Sequence, residues 1–438
     1  MSILIKQARV LCADEGITGA DGIADVLIEA GKIAAIAPML PISPTPADTL
    51  EAQGQYLGPG LVDLYAQSGE PGYEARETYD SIRQAAAAGG FTRIALLPNT
   101  QPVVDSVSAA QSVLKRNQRL GPPSATLMPW AAFTAGTAGE QLTELAELAR
   151  AGAVGFADGK PLSSTILLRR LLEYAQPLQK PVAFWPCDLK LAGKGSAREG
   201  PDALRLGLMG VSAIAETTAL STLLECIAEI PTPIHIMRVS TARSVALLQQ
   251  AKAEGLPVTA SVAWHHLIFN TTDLDTYDPT LRHDPPLGTP TDKQALIAGV
   301  AAGVIDAIAT DHSPYTYEEK TVAFDMAPPG AIGLELALPV LWKTFVASGQ
   351  WSAAQLWNAL SQNPAKCLGL TPNRITVGSP AELTLFDPSA EWQATVEAMR
   401  SQASNTPWLN QTIQGKVIRT WISPNGSTQD ARLARPAL

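Results

Sequence analysis

Two aspartates, Asp158 and Asp311, close short apolar runs in this 438-residue chain. They are the carboxylates best placed to do chemistry. A carboxylate at such a point can serve as a general base or, beside imidazoles, as a metal ligand. Other polar or aromatic residues stand at matching points. Asp63, Tyr65 and Gln67 belong to the stretch GPGLVDLYAQSGEPG (58–72), a buried strand running into a Gly/Pro loop. Asn99 follows the run 93–98, Trp185 lies near the end of the run 181–186 with Cys187 just after it, and Arg238 lies in 233–239. His265 and His266 follow 257–264, and His312 follows Asp311. Imidazoles are scarce: the chain has five, His235, His265, His266, His283 and His312, with neither an HxH nor an HExxH spacing.

The runs that carry these residues must be strands of one sheet. About eight of them, at 60–64, 93–98, 125–130, 153–158, 181–186, 233–239, 257–264 and 305–311, alternate with Ala- and Leu-rich helical patterns. The helices are expected at 77–90, 144–152, 164–175, 242–255 and 293–303, several ending at glycine. This alternation is the pattern of a (β/α)8 TIM barrel, whose chemistry sits where strands end and βα loops begin. A doubly wound open sheet is the alternative, weakened because no Gly-rich dinucleotide fingerprint follows the first run.

Strand texture also marks both chain ends: 2–12 and 25–37 around a turn at Gly31-Lys32, then 374–388 and 415–424. Residues 38–55 read as a Pro-rich connector, 333–347 and 352–364 as helices, and the tail after Pro424 as loose. The expected organisation is a small composite β-sandwich domain from 1–57 and 371–438, flanking a barrel over 58–370.

Composition narrows the function. The chain is 46% apolar and 17% charged with a net charge of −9, and no Lys/Arg run suits nucleic acid. No window approaches the ~18 unbroken apolar residues of a membrane span, and the N-terminus lacks the apolar stretch of a signal peptide. Four well-separated cysteines, Cys12, Cys187, Cys226 and Cys367, without CxxC, favour a reducing cytoplasm.

Over nearly its whole length the chain resembles the dihydroorotase family of the amidohydrolase superfamily. The first-strand loop is similar to the family's PGxxDxHxHxRxPG, and ETYDSIRQAAAAGGFTRIALLPNTQPVVDS (77–106) to its helix and PNTxPxxD segment. Further matches are HIMRVSTARSV (235–245), AKAEGLPVTASVAWHHL (251–267), DPPLGTPTDKQAL (284–296), DAIATDHSPYTYEEK (306–320) and FDMAPPGAIGLELALPVL (324–341). The resemblance implies an amidohydrolase-type barrel in which zinc activates water to open the cyclic amide of dihydroorotate.

Residue by residue, the metal pattern is gone. The HxH positions are Tyr65 and Gln67, the strand-five histidine is Trp185, and the strand-six histidine is Arg238. Of the family's metal positions only the carboxylates Asp158 and Asp311 remain. A guanidinium is always protonated and an indole offers no lone pair, so neither ligates zinc. The substrate clamp is altered too: the loop arginine is Gly69, the histidine closing TDHxPH is Tyr315, and the asparagine of NPPL is Asp284, which would repel an anion. Asn99 is retained and either meets a ligand or caps a turn. A makeshift metal site would need Cys187, Asp158 and Asp311. His265 and His266, read as neighbours on a strand, point to opposite faces and suit packing, as does His235 within strand six.

The reading that follows is a dihydroorotase-like pseudoenzyme, without cofactor, in which Arg238 replaces the metal charge and pairs with Asp311 or Asp158. The resemblance implies an oligomeric assembly with aspartate carbamoyltransferase. An active dihydroorotase with a non-standard site is the alternative. A third reading is a metabolite-binding regulator whose emptied pocket is lined by Tyr65, Trp185 and Tyr315, although these aromatics serve equally to fill the cavity.

Overall fold

The computed structural model describes residues 2–11, 22–40, 48–119 and 125–422. Cys12 and the tail after Pro424 lie outside these residues. Eight parallel strands follow one another around a barrel in sequence order: Leu61–Ala66, Phe91–Leu96, Thr126–Ala131, Gly155–Phe156, Val182–Phe184, Ile234–Ile236, Val258–Ala263 and Ala307–Ala309. They are numbered one to eight below.

Alternation along each strand separates two cores. In strand three, Leu127 and Ala131 pack outward beneath the helices, while Met128 and Trp130 fill the barrel interior. The Trp130 indole donates to the Leu64 carbonyl at 2.8 Å, so the largest interior side chain leaves no polar atom unmatched.

Strands one and eight are joined chiefly through a side chain. The carboxylate of Asp63, fully buried, accepts the Thr310 N–H and the Thr310 hydroxyl, both at 2.7 Å. The Gln67 N–H adds a bond to the His312 carbonyl at 2.8 Å. Burial outweighs the Thr310 bonds and lifts the Asp63 carboxyl to about 7.

The chain ends meet in one seven-stranded sheet beside the barrel. Ser2–Val10 lies centrally, paired with Ile23–Glu29, which turns back through Lys32–Ala37. Leu383–Gln393 pairs onto Tyr56–Pro59, and Thr412–Trp421 pairs onto Leu383–Gln393 to complete the sheet. The stretch read as a connector contains a further strand, Asp48–Glu51, parallel to Ser2–Val10. Its alternating half-exposed residues give it no apolar run to recognise. Two helices went unread, Val107–Arg119 and Ile214–Glu229. The second is threonine-rich and ends without glycine. Among the described residues, no helix is long and apolar enough to cross a membrane.

Trp357, on the helix Ala353–Leu360, locks the junction between sheet and barrel. Its ring is fully buried, its indole donates to the Pro59 carbonyl at 2.8 Å, and it lies so close to Gly58 that a Cβ there would stand 2.1 Å from it. Trp357→Ala should lower stability by about 3–5 kcal/mol, while Trp357→Phe should lose about 1 kcal/mol for the missing bond. Urea denaturation of the two variants distinguishes packing from hydrogen bonding.

Candidate functional site

Arg238 follows strand six and Asp311 follows strand eight, and their side chains meet over the barrel mouth. Nη2 of Arg238 donates to Oδ1 of Asp311 at 2.7 Å and Nε donates to Oδ2 at 2.9 Å. This is a two-point pair with side chains only 6% and 11% exposed. Burial alone would lower the Arg238 pKa, but the Asp311 charge and bonds outweigh it and hold the guanidinium above its ordinary value. Both residues adopt left-handed backbone, φ 56° and 47°, at about 1–2 kcal/mol each for a non-glycine residue.

The other expected metal positions are engaged around this pair. The Tyr65 hydroxyl accepts the Arg238 N–H at 3.2 Å and lies 3.1 Å from the Ser261 hydroxyl. Ser261 also meets Nε2 of His235 at 2.8 Å, and Nδ1 of that ring meets Thr259 at 2.9 Å. His235 is thus a fully hydrogen-bonded core histidine, its pKa lowered to about 3 by burial. The Trp185 ring lies under the Arg238 guanidinium, 4.9 Å from its carbon. Gln67 contributes its backbone bond to strand eight.

Asp158 does not share Arg238. Its carboxylate turns to Thr134, accepting the backbone N–H at 3.0 Å and the hydroxyl, while burial raises its pKa to about 6. The side-chain amide of Asn99 donates to the Asp158 carbonyl at 2.8 Å, so it braces a turn. Cys187 lies with Glu216 and Asp284 in a neighbouring cleft, and burial there pushes its thiol up to about 12. The makeshift trio of Cys187, Asp158 and Asp311 is therefore not assembled. Among the described residues, no three His, Cys, Asp or Glu side chains are arranged to hold a metal. A zinc ion does not fit the donors present, because a fixed cation occupies both oxygens of Asp311.

The expected substrate clamp is also rebuilt. A Cβ at Gly69 would stand 2.3 Å from the carbonyl oxygens of Tyr73 and Glu77, so this loop excludes any side chain there. Tyr315 is buried under Arg76 and Lys320, 5.0 and 5.2 Å from its ring centre. Asp284 is held by Arg282 at 3.2 Å and lines the cleft, as does Trp185. Tyr65 and Tyr315 do not line that cleft, so the three aromatics form no common pocket there.

The sequence did not reveal what covers the other side of the mouth. Residues 394–411, an excursion between the last two strands of the composite sheet, reach the loops after strands one, seven and eight. Asn405 accepts the Tyr315 N–H and donates to the Ser313 carbonyl, Ser401 donates to Glu77, and Trp408 stacks on Trp264 at 4.8 Å. Nε2 of His312 faces the same Glu77 at 3.4 Å, while its Nδ1 accepts from Gly333. No periodic signal marks this excursion.

His265 and His266 lie on a short helix, His265–Ile268, rather than on a strand. His265 stacks against Trp264 at 4.2 Å and His283 at 4.4 Å, and neither of its ring nitrogens has a partner. Burial lowers the pKa of His266 to about 3 and holds His265 and His283 well below the ordinary imidazole value.

A profile described as dihydro-orotase-like matches residues 54–238, and one described as the amidohydrolase family matches 225–427. A probable dihydroorotase-like protein from Synechocystis sp. is 43% identical over 412 residues, covering 87% of this chain and 91% of its own. A dihydroorotase from Pelobacter propionicus is 36% identical over 424 residues, covering 97% and 98%. The solved L-hydantoinase (dihydropyrimidinase) from Arthrobacter aurescens superposes with a TM-score of 0.81 at 23% identity, covering 96% of each chain, a likeness of fold.

Two measurements check the geometry. Arg238→Met strands a buried carboxylate and should lower stability by about 3–5 kcal/mol. Adding Asp311→Asn, which tolerates left-handed backbone, should recover part of that loss, giving a coupling of about 2 kcal/mol in a double-mutant cycle.

The second measurement follows pH. A histidine held neutral by burial costs stability as pH falls below about 6.5, where the unfolded chain takes up the proton first. Asp63, Asp158 and Glu335, whose pKa values are raised, act in the opposite sense. The diagnostic quantity is therefore the difference between wild type and His265→Phe. The variant's urea midpoint should gain on wild type steadily from pH 7 to pH 5; parallel curves would show that His265 is not held neutral.

Proposed function

The chain belongs to the dihydroorotase-like family of amidohydrolases, of pyrimidine metabolism, and on that premise we propose that it is a pseudoenzyme. Its role would be structural or regulatory, as a partner of aspartate carbamoyltransferase in de novo pyrimidine synthesis. The observation that carries the reading is the Arg238 guanidinium seated on Asp311. An amidohydrolase needs an acid free to bind metal and to take a proton from water. Here both oxygens of that acid are spent on a group that is never deprotonated.

The partner half of the proposal draws on the separation of site and surface. A barrel's outer helices are set by packing on the strands, and they persist when the mouth loses its chemistry. This chain keeps the whole fold, with its outer core closed under the helices. A protein of that kind can still offer a docking surface to a partner enzyme.

One preparation tests both halves. Protein purified without chelators should carry far less than one zinc per chain and should not hydrolyse dihydroorotate above background. In native extract at physiological salt it should co-elute with the transferase. Near-stoichiometric zinc with turnover would establish the competing reading, an active dihydroorotase with a non-standard site, and would direct mutation to Asp158, Cys187 and Asp311. Clean separation from the transferase would remove the partner role alone.

A further inference from the structure

A cleft of about 290 Å³ opens beside the barrel mouth, on the side of strands five to seven. Trp185, Val211, Ala215 and the Pro285-Pro286 pair give it apolar walls. Three cationic residues line it, Lys194, Arg198 and Arg282, against two acids, Glu216 and Asp284. One positive charge is therefore left over.

Arg198 is the group that needs explanation. It is 3% exposed, yet among the described residues it forms no ion pair. Its Nη2 donates to the Ser240 hydroxyl at 2.6 Å and faces the Pro286 carbonyl at 3.5 Å, and its Nε has no partner. Glu216 is linked to it through the Ser240 hydroxyl, and its carboxylate already accepts from Ser240 and Thr241 by backbone and hydroxyl alike. Arg282 also has an unpartnered Nε. A buried guanidinium without a directly bonded carboxylate is costly, unlike Arg238, which is paired with Asp311 at two points.

We propose that this cleft binds a small organic monocarboxylate, its carboxylate pairing with Arg198 and its apolar body lying against Trp185 and the two prolines. A single excess positive charge suits a monoanion. Glu216 and Asp284 would repel the second charge of a phosphate dianion. The volume, at the lower end of small-molecule sites, limits the ligand to a compact one. The assignment goes beyond the silent-enzyme reading and does not depend on it, because neither Arg238 nor Asp311 takes part in binding here and Trp185 alone is shared.

Calorimetric titration of the full chain with benzoate, acetate and inorganic phosphate tests the assignment. Benzoate should bind with a Kd below about 1 mM, and acetate, lacking a body for the apolar walls, about tenfold or more weakly. Arg198→Gln should weaken benzoate about tenfold or more. Since that variant removes a buried group, Ala192→Trp, which narrows the cleft and leaves Arg198 in place, should abolish binding independently. Lys190→Gln, an exposed change on the same short helix outside the cleft, should leave it unchanged. Failure of benzoate to bind below about 10 mM, or equal binding by all three variants, overturns the site. Phosphate binding more tightly than benzoate overturns the carboxylate assignment.

Discussion

A buried charge must be answered close by, and in this barrel the answer to Asp311 is Arg238. At the low effective dielectric of the mouth, two charges 2.7 Å apart attract strongly, but removing each from water costs several kcal/mol. The pair therefore persists only because its surroundings are complete. Two-point geometry uses both carboxylate oxygens. The Trp185 face lies against the guanidinium, and the Tyr65 hydroxyl takes the backbone N–H that the left-handed turn at Arg238 leaves over. Through Ser261 the same hydroxyl is tied to His235 and Thr259, so one polar network links strands one, six and seven to the ion pair of strands six and eight. The strain at two left-handed residues is held in place by those contacts.

Residues that look retained for chemistry are bound to the same framework. His312 spans Gly333 and Glu77, Asn99 braces the carbonyl of Asp158, and the Asp158 carboxylate is saturated by Thr134. Each could equally sit in a working site when its identity alone is considered. Their types alone do not distinguish the cases; their partners show each engaged within the fold.

That distinction marks how far the sequence could be read. The apolar runs showed the eight strands because barrel strands, buried on both faces, have a strong signature. The Arg238–Asp311 pairing was legible because an unpaired acid at a strand end needs a cation and Arg238 was the nearest candidate. Asp48–Glu51 was hidden by its half-exposed edge position, and residues 394–411 by the lack of any period. The glycine at 69 read as a lost arginine, but the tightness of the loop that makes glycine obligatory depends on the Tyr73 and Glu77 carbonyls folding back. His265 and His266 were assigned to a strand because 257–264 reads apolar and β-rich up to Trp264. The backbone turns into a helix at Trp264, with the Phe269 N–H bonded to the His265 carbonyl, and no apolar period marks that turn.

The mouth that results is asymmetric. Toward strands one and eight it is roofed by the excursion 394–411 and discharged by an internal ion pair. Toward strands five to seven it stays open, and the buried guanidinium there meets, among the described residues, a hydroxyl and a carbonyl. Two buried arginines at one barrel end thus face opposite electrostatic situations. Arg238 has its counter-ion within the chain, in Asp311. Arg198 has no directly paired carboxylate among the described residues, and it lines the neighbouring cleft. The ion pair at one side of the mouth and the unpaired guanidinium at the other are then separate consequences of where each arginine's partner lies.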